Sequence, residues 1–105
     1  MMERIMLHTR LAEGMEEAYE QTHRAIPAAL DALLRSSGVH AWRIYREGRD
    51  LFHYVEVDDY AAFLRATADH PVNVAWQHRM AAFLEVVHDY HSAQSNQLQK
   101  VWELP

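Results

Sequence analysis

VHAWRIYREGRDLFHYVEV, residues 39–57, places two runs rich in Val, Ile, Trp, Tyr and Phe on either side of Glu47-Gly48-Arg49-Asp50. Such residues favour a pleated, half-buried surface, and a connection this short with a glycine reverses the chain. The stretch therefore predicts an antiparallel hairpin of Val39 to Arg46 with Leu51 to Val57. Upstream, Ser36-Ser37-Gly38 closes a segment from about Glu16 to Leu34. Its apolar positions, Met15, Ala18, Tyr19, Ile26, Ala29, Leu30, Leu33 and Leu34, have helical spacing. Pro27 sits inside that run, where it deletes an amide donor and crowds the preceding turn, so a kink or break is expected close to His23. Before Gly14, Arg4 to Leu11 alternates Ile5, Leu7, Thr9 and Leu11 against Met6, His8 and Arg10, the two-residue period of a strand.

Downstream of the hairpin, Asp58 and Asp59 offer an N-cap for a helix through Tyr60, Phe63 and Leu64. Asp69-His70-Pro71 interrupts it, and Val74, Trp76, Met80, Phe83, Leu84 and Val87 predict a further helix running to about Val87. Asp89 to Asn96 reads as a loop and Leu98 to Leu104 as the last strand. The order β-α-β-β-α-β is the ferredoxin-like split α+β arrangement, with the first and third strands central and the helices on one sheet face. The opposite face then lacks a cover, although the strands carry large residues of both parities, Met6, His8, Trp42, Ile44, Phe52 and Tyr54 among them. Two such sheets packed face to face would form a dimeric α/β barrel with a lined cavity in each subunit, so a homodimer is expected.

At 105 residues the chain is expected to be one domain, 1–105, with one core. Ten Lys and Arg against fifteen Asp and Glu give a formal charge of -5, and the basic residues are scattered, which argues against nucleic acid and acidic membrane surfaces as partners. Cysteine is absent, excluding disulfides and thiolate chemistry. The start of the chain lacks a basic region followed by an apolar signal core, and no apolar run is long enough to span a bilayer; a soluble cytoplasmic protein is the expectation.

Tyr19 and His23, four residues apart, project from one helix face. Histidine exchanges protons near neutral pH, and a tyrosine one turn away can orient a hydroxyl-rich ligand. Eight histidines also raise a metal set of His88 and His91 completed by Asp59 or another carboxylate, but no metal-binding helix motif accompanies them, and no metal is expected. The three glycines form no phosphate loop, and the serines have no nucleophile-elbow setting.

Taken in order, Glu17-Ala18-Tyr19 with His23, Gly38-Val39-His40 leading to Ile44-Tyr45, Val55-Glu56-Val57, Trp76 with Met80, and Leu98-Gln99-Lys100-Val101-Trp102-Glu103-Leu104-Pro105 resemble the L-rhamnose mutarotases, almost end to end. The resemblance implies a small dimeric enzyme that needs no cofactor and interconverts the α and β anomers of a monosaccharide, L-rhamnose or a related 6-deoxyhexose. It implies His23 as the proton donor, with Tyr19 and Trp42 at the sugar, and a helical tryptophan pair that reads Trp76-Gln77 here. The family's second tryptophan is thus an amide, and its Pro-Ile-Trp-Pro stretch reads Ala25-Ile26-Pro27-Ala28. A second acid/base group stays open among Glu56, His8, His53 and a water. Trp102 carries only a packing role, and Tyr45 and Tyr54 are not assigned to the site. Similar dimeric barrels also host cofactor-free oxygenases and cyclases, and a binding-only dimer is the non-enzymatic alternative.

Overall fold

The computed structural model describes residues 2–105. Along the chain run β1 (Glu3–Leu11), α1 (Glu16–His23), α2 (Ala28–Ser36), β2 (Val39–Glu47), β3 (Asp50–Val57), α3 (Tyr60–Thr67), α4 (Pro71–Ala81) and β4 (Leu84–Val86). The strands form one antiparallel sheet in the order β2-β3-β1-β4, which puts β1 and β3 at the centre and gives the expected ferredoxin-like α+β architecture.

Local chemistry explains most boundaries. Glu47 pairs with Asp50, and Gly48 at φ +59° opens the two-residue turn between them. The break expected near His23 is real: α1 ends there and α2 begins at Ala28, with Pro27 at its N-cap, so the missing amide falls where a helix has no partner for it. Asp59 caps α3 by accepting from the Ala62 amide at 3.0 Å. His70 caps α4 through its ring, and Pro71 occupies the first turn.

Ile5, Leu7, Thr9 and Leu11 of β1 are buried, together with Leu51, His53, Val55 and Val57 of β3. These positions pack against the helices in two apolar clusters, one around Phe63 and Tyr60, the other around Tyr19, Leu30, Trp76 and Met80. The alternate residues Met6, His8, Phe52 and Tyr54 lie half-buried on the other face. Trp42 and Ile44 do not join them. Val39 pairs with Val57 but Ala41 with Glu56, so His40 is an extra residue in β2 and the strand's parity flips there. The bulge turns Trp42 and Ile44 to the helix side and separates Trp42 from His40, which bonds Asp58 at 2.6 Å instead.

Two expected elements are corrected. The last helix stops at Ala81 rather than near Val87, and Leu84–Val86 becomes the fourth strand. The free edge of β1 supplies the reason, because Arg10 and Leu11 pair with Val86 and Leu84, and β-branched Val86 suits that ladder better than another helical turn. Leu98 to Leu104 is not a strand: Leu98 donates to the Met6 carbonyl at 2.8 Å, and the residues beyond it are exposed and pair with no strand among the described residues. Val101, Trp102 and Leu104 are 91%, 75% and 78% exposed, so the packing role expected of Trp102 is absent within this chain.

Candidate functional site

A cavity of about 430 Å³ opens between the helix-facing side of the sheet and the helices α1, α2 and α4. Its size lies within the roughly 300–1,000 Å³ range of small-ligand sites. Tyr19, His23, Trp42, Trp76 and Gln77, the five expected site residues, all line it.

His23 is the last residue of α1, and its Nδ1 lies 3.1 Å from the Tyr19 carbonyl one turn back. A carbonyl can only accept, so Nδ1 carries the proton, and Nε2 is left with its lone pair and no protein partner among the described residues. The Tyr19 ring lies 4.2 Å from the imidazole, and the Trp76 ring meets it edge-on at 5.2 Å. Burial pushes the His23 pKa below the usual histidine value, and the Arg79 charge adds to that, against the Tyr19 carbonyl. Arg79 itself lies over the Trp76 ring, 5.6 Å from its centre. Burial raises the Tyr19 pKa, so its phenol remains a proton-bearing donor.

Gln77 gives its amide to Asn73 Oδ1 at 3.2 Å and to the Tyr90 hydroxyl at 3.3 Å, which leaves its carbonyl oxygen for a ligand. Asn73 is in turn anchored to the Thr67 carbonyl, so this polar corner is built from α3, α4 and the segment after β4. Trp42 has a second task besides offering an indole face: its Nε1 donates to His53 Nδ1 at 3.0 Å.

Of the groups considered for the second acid/base role, His8 and Glu56 lie on the opposite face of the sheet. His8 bonds Asp50 at 2.8 Å, and Glu56 takes the Tyr54 hydroxyl and faces Arg4. Only His53 lines the cavity. Thr9, Asn73, His88 and Tyr90 are further cavity residues that were not singled out for it. Thr9 was recoverable from its parity with Leu7 and Leu11, whereas His88 and Tyr90 lie in an irregular segment without a period to read. The residues weighed for a metal, His88, His91 and Asp59, do not come together. Asp59 is a helix cap, His88 is buried against Tyr60 and His91 is exposed. Among the described residues no group of three His, Cys, Asp or Glu could hold an ion.

The arrangement sets one proton-exchanging nitrogen in a cavity walled by aromatic rings and rimmed by amides, which suits a small hydroxylated ring. Known proteins point the same way. The family model for L-rhamnose mutarotase matches residues 4–104. A protein of Opitutus terrae named L-rhamnose mutarotase is 36% identical over 67 residues; the match covers 62% of this chain and 64% of that relative, just under two thirds of its length. A crystal structure of an L-rhamnose mutarotase from Formosa agariphila superposes with a TM-score of 0.77 at 24% identity, over 98% of this chain and 99% of that one. A Pseudomonas aeruginosa protein superposes at 0.57 and 20% identity, over 94% and 93% of the two chains. At these identities the superpositions speak for the fold. With the family match running over nearly the whole sequence, the chain belongs to the L-rhamnose mutarotase family.

Proposed function

We propose that the protein is an isomerase that interconverts the α and β anomers of L-rhamnose, or of a related 6-deoxyhexose, by acid/base-catalysed ring opening. The observation that carries the reading is His23: Nδ1 is held by the Tyr19 carbonyl while Nε2 is left to the cavity. The anomeric and ring oxygens of a pyranose share one carbon, so a single nitrogen placed at one reaches the other. His23 Nε2 takes the proton of the anomeric hydroxyl, the O–H electron pair becomes the carbonyl π bond, and the C1–O5 pair goes to the ring oxygen. The same proton is then delivered to that oxygen. Rotation about C1–C2 and the reverse steps close the ring on the other face of the carbonyl. The lowered pKa keeps Nε2 unprotonated at neutral pH, ready to act first as a base.

Tyr19 hydrogen-bonds the sugar, Trp42 and Trp76 cover its C–H faces, and Gln77 receives a hydroxyl. Proton transfer of this kind needs no cofactor. Family membership favours this reading over an oxygenase, a cyclase or a binding-only dimer.

The proposal includes one domain over residues 1–105 and a homodimer in the cytoplasm. Half-buried Met6, Phe52 and Tyr54 on the open sheet face and the exposed Val101, Trp102 and Leu104 support the dimer, since a second copy would cover both surfaces. Magnetisation exchange between the anomer signals of L-rhamnose, L-fucose and D-glucose tests the activity. Faster exchange is expected for L-rhamnose; no acceleration with any sugar overturns the reading.

A further inference from the structure

Two buried histidines stand on the cavity wall in addition to His23, and their hydrogen bonds separate them. An indole N–H can only donate, so the bond from Trp42 fixes a lone pair on His53 Nδ1. The His53 proton therefore sits on Nε2 and goes to Thr9 Oγ1 at 2.9 Å. Both nitrogens are engaged, and His53 has nothing left for a ligand.

His88 differs. Its Nε2 lies 2.8 Å from the Tyr60 hydroxyl. Tyr60 is 3% exposed, and its hydroxyl has no other acceptor among the described residues. The phenol therefore donates to Nε2, which puts the imidazole proton on Nδ1. Nδ1 has no protein partner among the described residues, and the His88 side chain lines the cavity.

The ring is also held in place. Tyr90 packs against it at 4.1 Å, and Trp42 and Tyr60 flank it at 6.0 and 6.4 Å. One side chain clips the peptides on both sides of His88: Asn96 Nδ2 donates to the Val87 carbonyl at 2.9 Å, and Asn96 Oδ1 accepts from the Asp89 amide at 2.8 Å. The same amide nitrogen reaches the His8 carbonyl of β1 at 3.0 Å, tying the segment to the sheet. Asn96 adopts φ +67° to do this, a strained backbone that asparagine tolerates better than most residues.

We propose that His88 is a second substrate-contacting residue, a neutral imidazole whose Nδ1–H donates to the oxygen that bears charge as the sugar ring opens, with Tyr60 and Asn96 as positioning residues. This rests on the mutarotase reading above. His88 neither gains nor loses a proton in the step; His23 carries the proton from one oxygen to the other. Burial pushes the His88 pKa down to about 4, which keeps the ring neutral at working pH. A fixed neutral donor stabilises developing charge without having to reorganise.

The test compares L-rhamnose anomer exchange in the wild type, His88→Leu, His88→Asn and Tyr60→Phe, with melting curves for each. Loss of the donor is expected to lower kcat about 100-fold with KM changed less than about threefold. His88→Asn, whose amide nitrogen falls near the position of Nδ1, is expected to recover at least tenfold of that loss. Histidine ¹⁵N spectra should place the His88 proton on Nδ1 in the wild type and redistribute it in Tyr60→Phe, a change that packing alone would not produce. Should His88→Leu fail to fold, the asparagine variant and the tautomer decide. Folded His88→Leu with wild-type kcat, equal losses in both His88 variants, or a wild-type proton on Nε2 overturns the proposal and leaves the mutarotase reading standing. A wild type that accelerates no sugar removes both.

Discussion

The two faces of the sheet carry similar side chains and differ in what surrounds them. On the helix side, His53 lies between Trp42 and Thr9, and burial pushes its pKa down to about 3. On the open side, His8 of neighbouring β1 hydrogen-bonds Asp50 where water reaches both, and that bond holds the Asp50 carboxyl below its usual range. Tyrosines divide in the same way: Tyr19 is buried in the cavity wall, whereas Tyr54 sits half-buried beneath Arg43. Residue type alone therefore does not decide a role here. Strand parity and helix cover decide which histidines are dry, neutral and held at a cavity.

The strongest way to break the contrast is to empty the covered side. Phe63 is fully buried between α3 and the sheet, and Phe63→Ala should lower unfolding free energy by about 3–5 kcal/mol in denaturant titrations. A loss below about 1 kcal/mol would show that this face is not the core.

Acid sharpens the contrast next. His53 and His88 have folded pKa values below the unfolded value of about 6.5, so they are neutral in both states above that pH. As pH falls below about 6.5 the unfolded chain binds protons that the folded chain refuses, and stability is lost progressively toward the folded values. By pH 5 the loss should be about 2 kcal/mol per buried histidine, and His53→Leu should show a shallower fall of melting temperature with pH. An unchanged slope would contradict the assignment of His53 as a buried neutral ring.

The smallest effect belongs to the open face. Tyr54→Ala should change the unfolding free energy of an isolated subunit by less than about 1 kcal/mol, yet shift sedimentation toward monomer if a second copy covers this face. Wild-type protein that sediments as a monomer at all concentrations would remove the dimer from the account.

Much of this contrast was legible in the sequence, and the failures have physical causes. Alternation in Arg4 to Leu11 and the turn at Gly48 located the central strands, and Pro27 located the end of α1 beside His23. The bulge at His40 was invisible, because nothing in VHAWRIY marks the residue at which the parity changes, and unbroken alternation would set Trp42 on one face with His40. β4 was hidden within a helical period that a free sheet edge overrode. Tyr19 and His23 share one face of α1 because of helix periodicity, which sequence displays well. His88 reaches the cavity through a long-range clip to Asn96, and such contacts leave no local pattern.

The central claim is that the covered side of the sheet holds the sugar while His23 moves its proton. Its most direct test is the rate of α to β exchange of L-rhamnose, measured by NMR with wild type and with folded His23→Ala at equal concentration. The account predicts clear acceleration by the wild type and a loss of about 100- to 10,000-fold in the variant. Wild-type rates retained in His23→Ala would contradict it.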